Sequence, residues 1–554
     1  MENHQKIIFG WLILKMIIMN KFKTVFNIQI SKSELYFILI LIFYIILGVI
    51  LLEQFQYQIN DDGIMLISIA QKYFNGDFIN AINGYWGPLF SWILLPFLFF
   101  GAEPIIYILS SKVLLLGIGL IMLLGLRKLS YHLAIDEKIR ALLLFASSIA
   151  LIGFSLIVTT SDLLFSCILI YYLSIIFDTN YINKIHYGLF CGFLGALAYL
   201  SKAYGFPFFI CHFTVFNLIF YLKYKNYRKK IFKNFLIGIT IFCIISGVWV
   251  GIISEKYDYV TIGTSGGYNQ ALVGPLSQGH PMHYLGFIEP PNDSSISSWE
   301  DPSYFEVQKW NSFSSWDNFK HQIDIISFNI MAVFFITQSF SILSILIIIG
   351  ALAIIIKKYL IKRSFDSLFY FMLSLFIYSS GYVFVLIEER YLWLNYFILL
   401  LMGGYLLTKL FSSSLVNSNK IKNFLLVIFV FSFIVNPIIT LSTGIDYVNS
   451  EKELYILTNE LKEDGVQGNI ASIGGYYSSL YISYYLKSKY YGESPANIRY
   501  YNLEKDLKDN NIDYLFVWDN LEHDDTFLAK YKIVKEVKMS GSQILTIYFL
   551  KNPP

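Results

Sequence analysis

The chain has 554 residues, of which 56% are hydrophobic and only 15% charged, and its mean hydropathy of +0.55 lies outside the soluble globular range. The net charge of +3 is too small to imply a nucleic-acid partner, so what matters is where the basic residues fall. These values exclude a wholly soluble protein and imply an integral membrane protein.

Residues 1–33 contain the apolar piece IIFGWLILKMIIM, but Lys15 interrupts it and no small-residue cleavage site follows. It reads as a cytoplasmic, interfacial segment rather than a signal peptide. A spanning helix needs roughly 20 mostly apolar residues. On that rule about eleven are predicted, at 34–53, 104–126, 139–159, 161–178, 187–201, 206–222, 234–253, 328–356, 366–387, 391–411 and 423–442. Cys167, Cys191, Cys211 and Cys243 all fall in these apolar runs and read as free thiols, not as a disulfide set or metal cluster. The connections RKLSYHLAIDEKIR, KYKNYRKK, KKYLIKR and NSNKIKN are strongly basic, and they are every second connection. Basic loops stay on the cytoplasmic side. The N-terminus is therefore expected inside the cell membrane, with 54–103, 254–327 and everything beyond 443 outside. Residues 34–442 form the transmembrane part. From 443 to 554 charges become frequent and helix-like and strand-like stretches alternate, which predicts a small soluble α/β domain. Such a domain is expected to be dispensable for a chemical step in the membrane part, but not necessarily for the choice of acceptor.

Within the first exterior loop, DDGIMLISIAQKYFNGDF (61–78) places Leu66, Ile69, Ala70, Tyr73 and Phe74 on one helical face, with Gly76 as a stop. About three turns are too short to span, so the helix is expected along the membrane surface. Asp61 or Asp62 would cap its N-terminus. One cap needs one carboxylate, and here there are two. The following piece, YWGPLFSWILLPFLFF, is also too short and too punctuated by Pro and Gly to span.

The acidic pair opening a surface helix, followed by GYWGPLFSWILLPF, resembles the GT-C superfamily of polyprenyl-phosphate-sugar-dependent glycosyltransferases, which includes protein O-mannosyltransferases and the aminoarabinose transferase of lipid A. TTSDLLFSCIL (159–169) is similar to that superfamily's short exterior turn with an Asp entering the fourth helix. LIEERYLWLNY (386–396) is similar to its Glu-Arg-Tyr at the exterior end of a late helix. The likeness covers about 34–411. It implies a polytopic GT-C fold and transfer of a sugar from a polyprenyl-phosphate donor to an acceptor glycan, lipid or protein outside, with inversion. Nothing in the sequence supplies a second nucleophile.

That chemistry makes demands on particular residues. A carboxylate must accept the acceptor's proton, for which Asp62 is the first choice, with Asp61 and Asp162 at the same level. The departing phosphate needs fixed cations, and Lys112, Lys202 and Arg390 are the candidates. Each has a plainer reading: the lysines could snorkel to the interface, Arg390 could pair with a neighbouring Glu, and Asp162 could be a helix cap. Asp61, Asp62 and Asp162 together could hold a divalent metal, Mg or Mn, through oxygen ligands. Tyr85, Trp86, Glu389, Tyr391 and Trp299 are expected to contact sugar or acceptor. The loop 254–327 carries more aromatics, among them Tyr268, Tyr284, Trp299, Trp310 and Trp316, than an idle loop requires. His280 and His283 have a spacing compatible with a metal site but lack further ligands. A transporter or lipid-sugar flippase is the competing class. It would place its charges along a midplane path and show an inverted repeat.

Overall fold

A computed structural model describes residues 31–551 apart from 306, 364, 496–502, 520–524 and 540–542; the interfacial reading of residues 1–33 falls almost wholly outside them. Helix α1 (Lys32–Gln54) opens on a capping box in which Ser31 and Glu34 bond each other's backbone amides. Helices α2 (Asp61–Phe74) and α3 (Pro88–Leu94) follow at one end of the bundle, here called the site end. Then α4 (Pro104–Ser130), α5 (Glu137–Leu156), α6 (Asp162–Ile176), α7 (His186–Ser201), α8 (Gly205–Lys223) and α9 (Arg228–Tyr257) run alternately away from that end and back. A short helix α10 (Ser265–Leu272) sits in the long loop after α9.

The segment expected as one helix at 328–356 is two. Helix α11 (Trp316–Phe340) and helix α12 (Ser344–Lys362) are divided at Ser341, whose backbone is extended. The side chains there supply the bonds that the helix ends lack: the Ser341 hydroxyl accepts from the Leu343 amide at 3.1 Å, and Gln338 Oε1 accepts from the Ile345 amide at 3.3 Å. Helix α11 stays near the site end throughout. Asn329 donates to the carbonyls of Val383 and Val385, at the end of α13 (Ser367–Val383). Phe340 packs 5.6 Å from Tyr396, in the first turn of α14 (Trp393–Phe411). Only α12 then descends beside α14, so the pair together makes one passage and the alternation survives.

Nine of the described helices are long and apolar enough to cross a membrane, and α6 and α13 are shorter apolar helices of 15 and 17 residues. The chain is thus a multi-pass helical membrane protein. Its basic connections, Arg127 to Arg140, Lys223 to Lys230, Lys357 to Arg363 and Lys420 to Lys422, all lie at the end opposite the site.

Helix α15 (Asn419–Glu463) runs 45 residues with Pro437 inside it. The domain boundary expected at 443 therefore falls within a helix. Beyond residue 443 the buried Val448, Leu454, Leu457 and Leu461 give it a packed face, which carries the helix out of the bundle to the terminal sheet. That sheet contains β1 (Asn469–Ile473), β2 (Lys489–Glu493), β3 (Tyr514–Trp518), β4 (Lys532–Lys538) and β5 (Ile544–Phe549) in the order β2-β1-β3-β5-β4, the first three parallel and the rest antiparallel. Helix α16 (Tyr476–Tyr485) follows β1 through Gly474 and Gly475, both at positive φ, with the Trp518 ring where a Cβ on Gly475 would lie.

The α/β domain is docked rather than free. Tyr481 donates to the Tyr57 carbonyl at 2.8 Å. The outer edge of β2 takes the long loop as a further partner: the Tyr490 amide donates to Ile296 and the Ile288 amide to Tyr491, each at 2.7 Å.

Candidate active site

The cap of α2 is Asn60, and its side chain is turned outward to accept from the Thr159 amide at 2.9 Å. Asp61 and Asp62 are the first two helical residues, so neither is the cap; the helix dipole favours negative charge there all the same. The helix ends as expected, with Gly76 at φ +80 and Asp77 donating to Lys72. Unlike a bare surface helix, however, α2 is buried on its polar side too, Ser68 and Lys72 being 2% exposed. The long loop covers it. Lys72 forms an ion pair with Glu300 and donates to Ser295 at 2.8 Å and Asn292 at 3.1 Å, while Ser68 donates to Glu300 at 2.7 Å.

The residue before Glu300 reaches the acidic pair. Trp299 Nε1 donates to Asp62 Oδ1 at 3.2 Å, and Arg390 holds Asp62 Oδ2. Arg390 also bonds Glu388 at 2.7 Å and stands 3.8 Å from Asp162, which is paired with Lys202. The Lys202 ammonium lies 3.5 Å from the centre of the Tyr391 ring. Thus the first loop, the α5–α6 turn, the α7–α8 turn and the α13–α14 turn meet in one chain of charges. Burial pushes the Lys202 ammonium down from the usual lysine range, opposed by Asp162.

This chain borders a cavity of about 430 Å³, which is also lined by Tyr85, Trp86, Tyr204, His280, Trp299, Tyr382, Glu388 and Tyr391. Trp86 reaches it because Gly87 lies against the Leu200 and Ser201 carbonyls, where a Cβ would come within 2.5 Å of both. The Trp86 Nε1 is buried with no partner among the described residues. His280 is held neutral, burial lowering it to about 4.

Asp62, Asp162, Arg390, Lys202, Tyr85, Trp86, Tyr391 and Trp299 are therefore brought together, and three other candidates are not. Lys112 is fully buried and donates to the Leu156 carbonyl, one of the free carbonyls ending α5, with Glu451 of α15 as its charged neighbour. It does not border the cavity. Glu389 lines a second, largely apolar hollow with Phe154, Trp393 and Pro437 and not the first cavity, while Glu388 and Arg390 border both. Asp61 faces a third hollow with Gln58, Glu451 and Tyr477. Burial and then the charge of Asp62 push its carboxyl up to about 7.

The three aspartates consequently do not converge, and no group of three or more His, Cys, Asp or Glu that could hold a metal occurs among the described residues. Asp62 and Asp162 are each occupied by a cation of the chain, so this donor set does not fit the Mg or Mn site. His283 does not join His280 in a ligand set but lies 3.6 Å from Glu493 of the terminal sheet. Glu300, Lys72 and Tyr382 were not legible as site residues. Their only signal is a lysine in the otherwise largely apolar α2.

No family model and no curated protein matches the sequence. Solved structures do match. ArnT from Cupriavidus metallidurans bound to undecaprenyl phosphate superposes with a TM-score of 0.52 at 10% identity, over 91% of this chain and 97% of that one. The apo form of that ArnT gives 0.51 over the same shares. The apo oligosaccharyltransferase of Archaeoglobus fulgidus gives 0.50 at 10% identity, over 88% of this chain and 70% of that one. ArnT and the oligosaccharyltransferase are both GT-C glycosyltransferases, and the present chain has the GT-C fold.

Proposed function

We propose that the protein is an integral membrane glycosyltransferase that moves a sugar from a polyprenyl-phosphate donor to an acceptor on the exterior face, with inversion. The observation that carries this reading is the orientation of the charges. The carboxylates of Asp62 and Asp162 border the cavity with side chains only 7% and 6% exposed, whereas Arg390 and Lys202, which border it too, are each 20% exposed. The carboxylates hold the cations, and the cations present their remaining N–H groups to an incoming anion. An ArnT of this fold was crystallised with undecaprenyl phosphate, a ligand of that chemistry.

In the reaction, Arg390 and Lys202 bind the donor phosphate. The acceptor hydroxyl bonds to Asp62, each of whose oxygens keeps a further lone pair beyond the bond it already accepts. As the acceptor oxygen bonds the anomeric carbon, its proton passes to Asp62. The bond from that carbon to the phosphate oxygen breaks, and the electron pair leaves with the polyprenyl phosphate. The two cations stabilise the charge that develops there. Tyr85 and Trp86 offer aromatic rings to sugar, and Trp299 and Tyr391 line the same cavity. A single displacement inverts the anomeric centre.

A flippase would need charges along a midplane path; here they lie at helix ends and in turns. The test is single-turnover transfer from a polyprenyl-phosphate sugar by Asp62→Asn beside the parent. The exchange keeps shape and removes the base, so transfer should slow at least ~100-fold with donor binding retained. Near-normal transfer would move the active site elsewhere.

A further inference from the structure

We infer that a groove beside the catalytic cavity binds the acceptor, and that the acceptor is a glycan of several sugar units; this rests on the transferase reading above. Helix α10 forms the partition. Its Ser265, Gly266 and Asn269 line the catalytic cavity, Ala271 lines the groove, and Leu272 lines both. The groove encloses about 500 Å³ and is bordered by Tyr284, Gln308, Trp310, Asn311, Ser314 and Asn318.

Its aromatic platform is fixed in place. Trp310 Nε1 donates to the Gln270 carbonyl at 2.6 Å, and the His321 ring meets Trp310 edge-on at 5.3 Å while bonding the Val273 carbonyl at 2.8 Å. The backbone at Gly274 lies so close over the indole that a Cβ there would sit 2.8 Å from it. A tryptophan serving only as a membrane anchor needs no such set of bonds. Trp316 and Phe313 nearby, at 76% and 85% exposed, fill that role.

The border chemistry selects the ligand class. Amide and hydroxyl side chains surround the ring, and among the described residues Lys309 is the one charged side chain lining the groove. A phosphate-bearing headgroup calls for several cations. A peptide calls for backbone partners, such as an open strand edge, and the edge of β2 in this protein is already taken by the loop. A pyranose has apolar C–H faces for an aromatic platform and hydroxyls that both donate and accept, as amides do. A chain seated on Trp310 and passing Leu272 would bring its terminal hydroxyl toward Asp62.

The full chain in lipid nanodiscs would be titrated with maltohexaose, mannohexaose and chitohexaose and their disaccharides, followed by saturation-transfer NMR, with undecaprenyl phosphate binding measured in parallel. At least one hexasaccharide should bind tenfold or more tighter than its disaccharide. Both the double variant Tyr284→Leu with Gln308→Ala and the groove-filling Ser277→Trp should weaken it at least tenfold while leaving undecaprenyl phosphate binding unchanged. The inference is overturned if no hexasaccharide binds the parent, if both variants bind as the parent does, or if a serine-rich hexapeptide binds and is the ligand those variants lose. Failure of undecaprenyl phosphate to bind the parent would instead strike the transferase reading, with the saccharide titration still deciding the groove.

Discussion

The two ends of the helical bundle treat charge in opposite ways. At the basic end, ion pairs such as Arg140–Glu137 and Lys358–Asp366 keep at least one partner well exposed, Glu137 at 53% and Asp366 at 32%. At the site end Lys72 and Glu300 are both 2% exposed, and Asp62 and Asp162 are nearly as buried. An exposed pair contributes at most about 1 kcal/mol. A buried pair must overcome several kcal/mol of desolvation per ion. Charge that serves only sidedness can stay in water. Charge that organises a reaction is drawn inside, and the loops that cover it grow long.

The sharpest way to break this contrast is Lys72→Met. It leaves Glu300 buried and unpaired, and should lower stability by about 3–5 kcal/mol, read as a large fall in unfolding temperature in detergent. Adding Glu300→Leu should recover much of the stability but not the transfer rate, because Trp299 loses the neighbour that fixes it on Asp62. Equal recovery of both would make the pair merely structural.

A smaller effect, about 1–3 kcal/mol, is expected on undecaprenyl phosphate binding by Arg390→Gln. Lys112→Met should leave that affinity within about twofold, since Lys112 does not border the cavity. The reverse pattern, measured by calorimetry, would relocate the phosphate site to the Lys112–Glu451 side.

Asp61 supplies a pH test. Its carboxyl is raised to about 7 by burial and by Asp62, so between about pH 4 and pH 7 the folded chain holds a proton that the unfolded chain has released. Stability is then fully present below the ordinary aspartate range and falls as pH rises through 7. The unfolding temperature should drop by a few degrees from pH 5 to pH 8, and Asp61→Asn should flatten that slope. An unchanged slope would show that Asp61 is not the group responsible.

The smallest effect belongs to the basic end. Glu137→Ala should change stability by less than about 1 kcal/mol, and chemical denaturation showing more would erase the contrast between the ends.

Much of the architecture was legible because a membrane imposes simple rules. Apolar length marked most of the crossing helices, and the alternation of basic connections matched their two ends. Where the reading failed, local bonding overrode length: Gln338 and Ser341 let one apolar run end and restart.

By itself the sequence determined which turns carry charge, since Asp62, Asp162, Lys202 and Arg390 all interrupt or border apolar runs where an ion is costly. It could not determine which charges meet. Asp61 and Asp62 are adjacent, yet the 100° step of a helix sends them to different hollows. Lys112 is as strong a candidate as Lys202 in composition, yet a free helix-terminal carbonyl captures it. The partners that set Trp299 on Asp62, Lys72 and Glu300, are 228 residues apart. Only the folded chain joins them, because the long loop buries its acid where α2 has left a lysine.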